Sequence, residues 1–211
     1  MADILILANS KKNRGYCVAG RDVITNKWVR LVGDSDGAEL NLNQIIYNDI
    51  IGGKQKTPYE PFNKFLRIDI GTAVPLKYQP ENFIVNQNIW QEIQCPNYNI
   101  SFDDPADLWG AGDRVLTDDI EQNRVIISQS LYIIKVTNLT FYVSEHNTNR
   151  ACFQYRNNIY DLGVTINPII FNDIVSKERA HDNILTISLA GPFFNRYTNQ
   201  LEHYKLVAAV F

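Results

Sequence analysis

The stretch at residues 9–32, NSKKNRGYCVAGRDVITNKWVRLV, decides the reading of the whole chain. Just before it, residues 4–7 form a continuous apolar run, which predicts a strand buried on both faces. Residues 9–15 are polar and end in glycine, so they predict a loop. Residues 16–23 and 27–32 flank Ile24-Thr25-Asn26. Two strand-like runs about a short turn predict a hairpin. On its second strand Trp28 and Arg30 share one face and Val29 and Leu31 the other, because strand side chains alternate.

Charge singles out the same region. Residues 1–32 carry six basic groups against Asp3 and Asp22, while the rest of the chain carries 14 against 21 acidic ones. A mildly acidic protein with one basic end does not coat nucleic acid by bulk charge, but it can focus an anion locally. Apolar residues make up 45% of the 211, enough for a sizeable core. No apolar run approaches the roughly 20 residues of a membrane helix. The opening MADILILANSKK lacks a basic leader and reads as a strand rather than a signal peptide. Cys17, Cys95 and Cys152 form no CxxC pair, and His146, His181 and His203 are scattered. Neither a disulfide framework nor a metal site is expected, which fits a reducing cytoplasm.

Further along, residues 37–51 are ambiguous between helix and loop, and 52–62 read as loop. Residues 64–74 alternate and predict a strand. Residues 83–85 suggest another strand, and 90–98 read as irregular. Residues 101–121 set seven acidic side chains against Arg114 alone. Pro105 opens a short helix there, and the stretch suggests a connector between two halves. The second half predicts strands at 124–127, 131–143 (with a bend), 151–155, 159–165, 184–189 and 204–211. Asn157-Asn158 suggests a two-residue hairpin turn, Ala190-Gly191-Pro192 a turn, and 167–175 a short helix or loop. Many short strands between turns indicate a sandwich or small barrels. The halves also echo each other: ILILANSKKNRGYCVAG and FYVSEHNTNRACFQY each lead through a basic, Asn-containing loop into a strand bearing a cysteine.

ILANSKKNRGYCVAG, KWVRLV, YQPENF, LTISLAGPFF and YKLVAAVF, in this order and nearly end to end, resemble the prokaryotic dual OB-containing domain family. Leu31 stands where the family pattern has a proline after the strand arginine. The resemblance implies a mainly β fold of two OB-like small barrels with short helices in the connections. The divisions expected are an N-terminal barrel at 1–100, an acidic connector at 101–123 and a C-terminal barrel at 124–211. It also implies a link to prokaryotic defence or conflict systems and a nucleic-acid or nucleotide ligand. It supplies no catalytic residues.

The candidate ligand-binding residues follow from chemistry. Lys11, Lys12 and Arg14 lie on the predicted loop and suit phosphate contact, or plain solvation. Trp28 and Arg30 suit base stacking beside a cation, or Trp28 is core. Gln79, Glu81 and Asn82 surround Pro80 and can read a base or sugar edge, or cap a turn. Arg150 and Tyr155, with Tyr160, repeat the basic–aromatic theme. Lys205 reads as a solubility charge on an edge strand, and Cys17 as a small buried hydrophobe. No Walker A, GxGxxG after a strand, GxSxG or HExxH motif is present. The expected function is non-enzymatic binding of single-stranded nucleic acid or a nucleotide, with no cofactor, metal or membrane. The alternative is an adaptor that docks a protein effector. A metal-dependent nuclease using the 103–119 carboxylates is a third reading.

Overall fold

The computed structural model describes residues 1–12, 15–56, 64–86, 88–95, 97–177 and 181–211. They divide into two compact units, residues 1–76 with 81–101 and residues 77–80 with 102–211.

The first unit holds β1 (Ala2–Lys12), β2 (Gly15–Asp22), β3 (Trp28–Val32), β4 (Ile46–Asn48), β5 (Lys54–Lys56), β6 (Phe65–Ile68), β7 (Ile70–Ala73), β8 (Asn82–Val85) and β9 (Trp90–Ile93). β1, β2 and β3 form an antiparallel meander, and β3 then pairs in parallel with β8. β6 and β7 are separated by Asp69 alone. β6 pairs with β1 and β7 with β8, so this one broken strand closes the sheet into a five-stranded barrel. β9, β4 and β5 extend the sheet outward from β6.

The predicted hairpin at 16–32 is present. Of the loop expected at 9–15, residues 9–12 and 15 are strand instead, with Asn9 and Ser10 buried, and residues 13–14 lie outside the described residues. Backbone pairing across Lys12↔Gly15 outweighs the polarity that suggested a loop. The 4–7 run is buried on both faces as expected. β1 bulges between Ile6 and Ala8. There Gly20 lies so close that a Cβ would fall 2.0 Å from the Leu5 carbonyl oxygen, so only glycine fits. Residues 42–45 form one 3-10 turn whose Asn41/Gln44 capping box satisfies its first amides. The stretch read as irregular at 90–98 begins with strand β9, recruited by its pairing to β6 and β4.

The second unit holds β10 (Arg114–Leu116), α1 (Thr117–Glu121), β11 (Leu131–Lys135), β12 (Thr137–Val143), β13 (Asn149–Tyr155), β14 (Asn158–Val164), α2 (Pro168–Val175), β15 (Ile184–Asn195) and β16 (Gln200–Val210). The same topology returns. β12, β13 and β14 form a meander, β14 pairs in parallel with β16, and β15 joins β16 to β11. β11 and β12 are one strand bent at Val136, as predicted, and the bend lets it close a second five-stranded barrel. α2 lies between the third and fourth barrel strands in sequence, started by Asn167 capping the Ile169 amide and by Pro168. The strict alternation of β13 and β14 turns Ala151, Phe153, Tyr155, Tyr160, Leu162 and Val164 into the core. Both sheets therefore have the order of an OB barrel.

Five expectations in this half differ from the structure, Lys205 among them. The 102–121 stretch is built into the second unit: β10 pairs with β16 beside the part β14 leaves open, and the helix forms at 117–121 rather than 105–109. Residues 124–127 are not a strand, because they follow α1 in a turn closed by bonds from the Arg124 and Val125 amides to the Asp119 carbonyl. Ala190-Gly191-Pro192 is not a turn; it lies inside β15 at a register shift, the kind of site where proline is tolerated in a sheet. The two-residue hairpin loop is Arg156-Asn157, since Tyr155 pairs with Asn158, and Arg156 takes a positive φ of 52°.

Lys205 is the largest departure. It lies between His203 and Val207 on the inward face of β16, and its relative exposure is 0%. Its Nζ donates to the carbonyls of Gly110 (2.7 Å), Ala111 (3.0 Å) and Gly112 (3.1 Å) and lies 5.6 Å from the Tyr160 ring centroid. Gly110 and Gly112 have φ of 90° and 72°, which glycine adopts without strain, and the loop thereby turns three carbonyls onto one ammonium. Burial pushes Lys205 down to about 8, against the pull of Asp107 and Asp113.

Candidate ligand-binding surface

The sequence-derived candidates fall into three places. In the first unit, β3 and β8 bring Trp28, Arg30, Glu81 and Asn82 together: Arg30 pairs in register with Asn82, its amide donates to the Glu81 carbonyl, and its guanidinium lies 3.7 Å from the Glu81 carboxylate. All four are buried, at 6%, 7%, 8% and 0% exposure. Val29 and Leu31 belong to the barrel core, as alternation predicts. Arg21 stacks 5.1 Å from the Trp28 ring centroid and donates to Ser101 and Asn26. This cation–aromatic group presents no open stacking face. Lys11 is exposed on β1 opposite Tyr16. Arg14 and the Lys12 side chain lie outside the described residues.

Gln79 belongs to the second unit, where its amide donates to the Leu189 carbonyl at 3.1 Å. Its neighbour Tyr78 packs on His203. Arg150 Nε donates to the Asp161 carboxylate (3.1 Å) and its Nη2 to the Asp161 backbone carbonyl (2.6 Å), and the Tyr142 hydroxyl donates to the same carboxylate. Tyr155 is core, its hydroxyl on the Pro105 carbonyl. Arg150 and Tyr155 thus share a strand but no ligand surface.

A group the sequence did not single out stands open instead. The antiparallel β15 and β16 pair as far as Asn195↔Gln200 and carry Phe194 opposite Leu201. Phe194 is 55% exposed, Leu201 49% and Tyr197 101%. Phe194 and Leu201 help to line a hollow of about 350 Å3, together with Leu116, Asp118, Asn199 and Gln200. Arg196 is exposed on the same four-residue connection.

Glu202 holds this tip in shape. Buried at 2% exposure, its carboxylate accepts from Arg114 (2.9 Å), Asn195 (2.8 Å) and Thr198 (2.6 Å). Asn195 in turn accepts from the Tyr197 amide. Burial works to raise the Glu202 carboxyl, and the bonds from Thr198, Asn195 and Arg114 outweigh it and hold it below the usual range. Phe193 stacks on Tyr204 at 4.1 Å, and the Arg114 guanidinium sits 5.2 Å from that ring centroid. The only signal for this site is Phe193, Phe194 and Tyr197 close together in LAGPFFNRY, a stretch to which the sequence pattern assigned no role. Among the described residues no three His, Cys, Asp or Glu side chains group as metal ligands, and no helix is long and apolar enough to cross a membrane.

Two five-stranded barrels, each with its third and fifth strands in parallel register, define a protein of paired OB folds. The chain belongs to the dual OB-containing domain family, whose model matches residues 2–210. No curated protein and no solved structure matches it. An OB-containing family points to a nucleic-acid- or oligonucleotide-binding role.

Proposed function

We propose that the chain binds single-stranded nucleic acid, or a nucleotide of the same chemistry, at the β15–β16 tip of its second barrel. The observation that carries this reading is the exposure of Phe194, Tyr197 and Leu201 beside Arg196, on the connection between the fourth and fifth barrel strands. That connection is one of the loops OB folds use for oligonucleotides. Exposed aromatic faces take stacked bases, at roughly 1–3 kcal/mol per base, and an adjacent guanidinium takes the phosphate. The Glu202 network fixes the tip beforehand, so little order is lost on binding. Binding is the whole activity in this proposal. Its setting is the cytoplasm of a prokaryote and a defence or conflict system, as the family resemblance implies.

Titration of a fluorescein-labelled ten-nucleotide dT strand with the full chain, followed by anisotropy at several salt concentrations, tests it. Affinity is expected to fall with salt. Arg196→Ala is expected to weaken binding and reduce the slope of log K against log salt by about one. Absence of binding by the wild-type chain overturns the reading; an unchanged slope removes the phosphate role of Arg196.

A further inference from the structure

We propose that the hollow at the β15–β16 tip is a base-specific pocket that accepts a guanine-type base from a single strand; the inference rests on the single-strand reading above and adds the identity of the base. Its lining divides by chemistry. Leu116, Phe194 and Leu201 supply apolar walls, and Asp118, Asn199 and Gln200 supply polar groups. Neither Lys nor Arg is among these lining residues, and Asp118 brings a negative charge. The hollow therefore disfavours a phosphate and suits a flat, uncharged ring with hydrogen-bond donors on its edge. The phosphate belongs outside, with Arg196, two residues along the chain from Phe194.

The polar lining selects among bases. A carboxylate only accepts hydrogen bonds, whereas the Asn and Gln amides both donate and accept. Guanine presents two adjacent donors, N1–H and the exocyclic N2 amino group, next to the O6 acceptor. Asp118 can accept from both donors while an amide of Asn199 or Gln200 donates to O6. Adenine and cytosine offer one donor beside a ring acceptor, and that acceptor would face the carboxylate with its lone pair. Thymine and uracil place a single donor between two acceptors. Guanine alone among these bases offers a carboxylate two adjacent donor atoms. The site is also preformed: Asn199 holds a φ of 55°, and Thr198 on one side and Glu202 on the other are bonded to each other.

The test uses the full chain and fluorescein-labelled eight-nucleotide dT strands that carry dG, dA, dC or dT at the central position. The dG strand is expected to bind about tenfold more tightly than the other three, the usual worth of one well-matched base edge. Asp118→Asn is expected to erase that preference, bringing the four affinities together. The Asp118 side chain is exposed, and a thermal melt of the variant matching the wild type confirms the fold. Four equal affinities with the wild-type chain, or a dG preference that survives Asp118→Asn, overturn the guanine pocket and leave single-strand binding standing. Failure to bind any of the four strands overturns both.

Discussion

Lys205→Ala is expected to lower the stability of the second barrel by about 3 to 4 kcal/mol, the sum of a cavity and lost charge-assisted hydrogen bonds. Lys205 is fully buried, and its aliphatic stem fills space between His203 and Val207 on the inward face of β16. Its ammonium is the common partner of three carbonyls of the 110–112 loop. That loop follows Leu108 and Trp109, both core residues. Removing the side chain opens a void and releases the loop together. Hydrogen exchange of β14 and β16 amides measures the change, which should appear as protection lowered by a few hundredfold. Unchanged protection would mean that the loop holds its place without the ammonium.

The same residue sets a pH dependence with a definite sign. The Lys205 amine has a folded value of about 8 against an ordinary 10.5. Between those values the unfolded chain holds a proton that the folded chain does not, so stability rises with pH across this window and is lost as pH falls through about 8. Lys205→Met keeps the stem and removes the titration. The wild-type advantage over Lys205→Met should therefore widen from pH 8 to 10.5. A constant difference would show that burial does not depress the ammonium.

The second large effect concerns the ligand. Phe194→Ala combined with Tyr197→Ala is expected to weaken single-strand binding by about a hundredfold, from two stacking faces at roughly 1–3 kcal/mol each. Both side chains are largely in solvent, so their removal exposes no core and should leave unfolding unchanged. Loss of affinity with intact stability assigns the effect to contact. Anisotropy on the dT strand measures it, and retention of affinity within twofold would move the ligand away from the tip.

Strand alternation carried most of the fold. It placed Val29 and Leu31 opposite Trp28 and Arg30, whereas Tyr160, which reads as part of a basic–aromatic surface, is buried in the core beside Phe153. The echo between the segments containing Cys17 and Cys152 has a structural counterpart: each segment spans the first hairpin of its barrel, β1–β2 and β12–β13. Long-range pairing was not legible. Trp90 to Ile93 becomes a strand because β6 and β4 offer free edges, and Pro192 sits in a strand because a bulge excuses its missing N–H. For Lys205 the alternation pointed inward and the charge pointed outward; three carbonyls from a glycine loop decided it. The site was hidden for a related reason. Apolar letters at Phe194 and Leu201 look like core, and only the three-dimensional barrel shows that β15 and β16 leave both side chains in solvent. Conversely, Trp28 and Arg30 look like a binding face until Arg21 and Glu81 are seen beside them.

Amide chemical shifts of the 15N-labelled full chain, recorded while an eight-nucleotide single strand with a central dG is added, locate the bound strand on the protein. The largest changes are expected at residues 194–201 and 116–118. Changes centred on Trp28, Arg30 and Asn82, or no saturable change at any amide, would contradict binding at the tip.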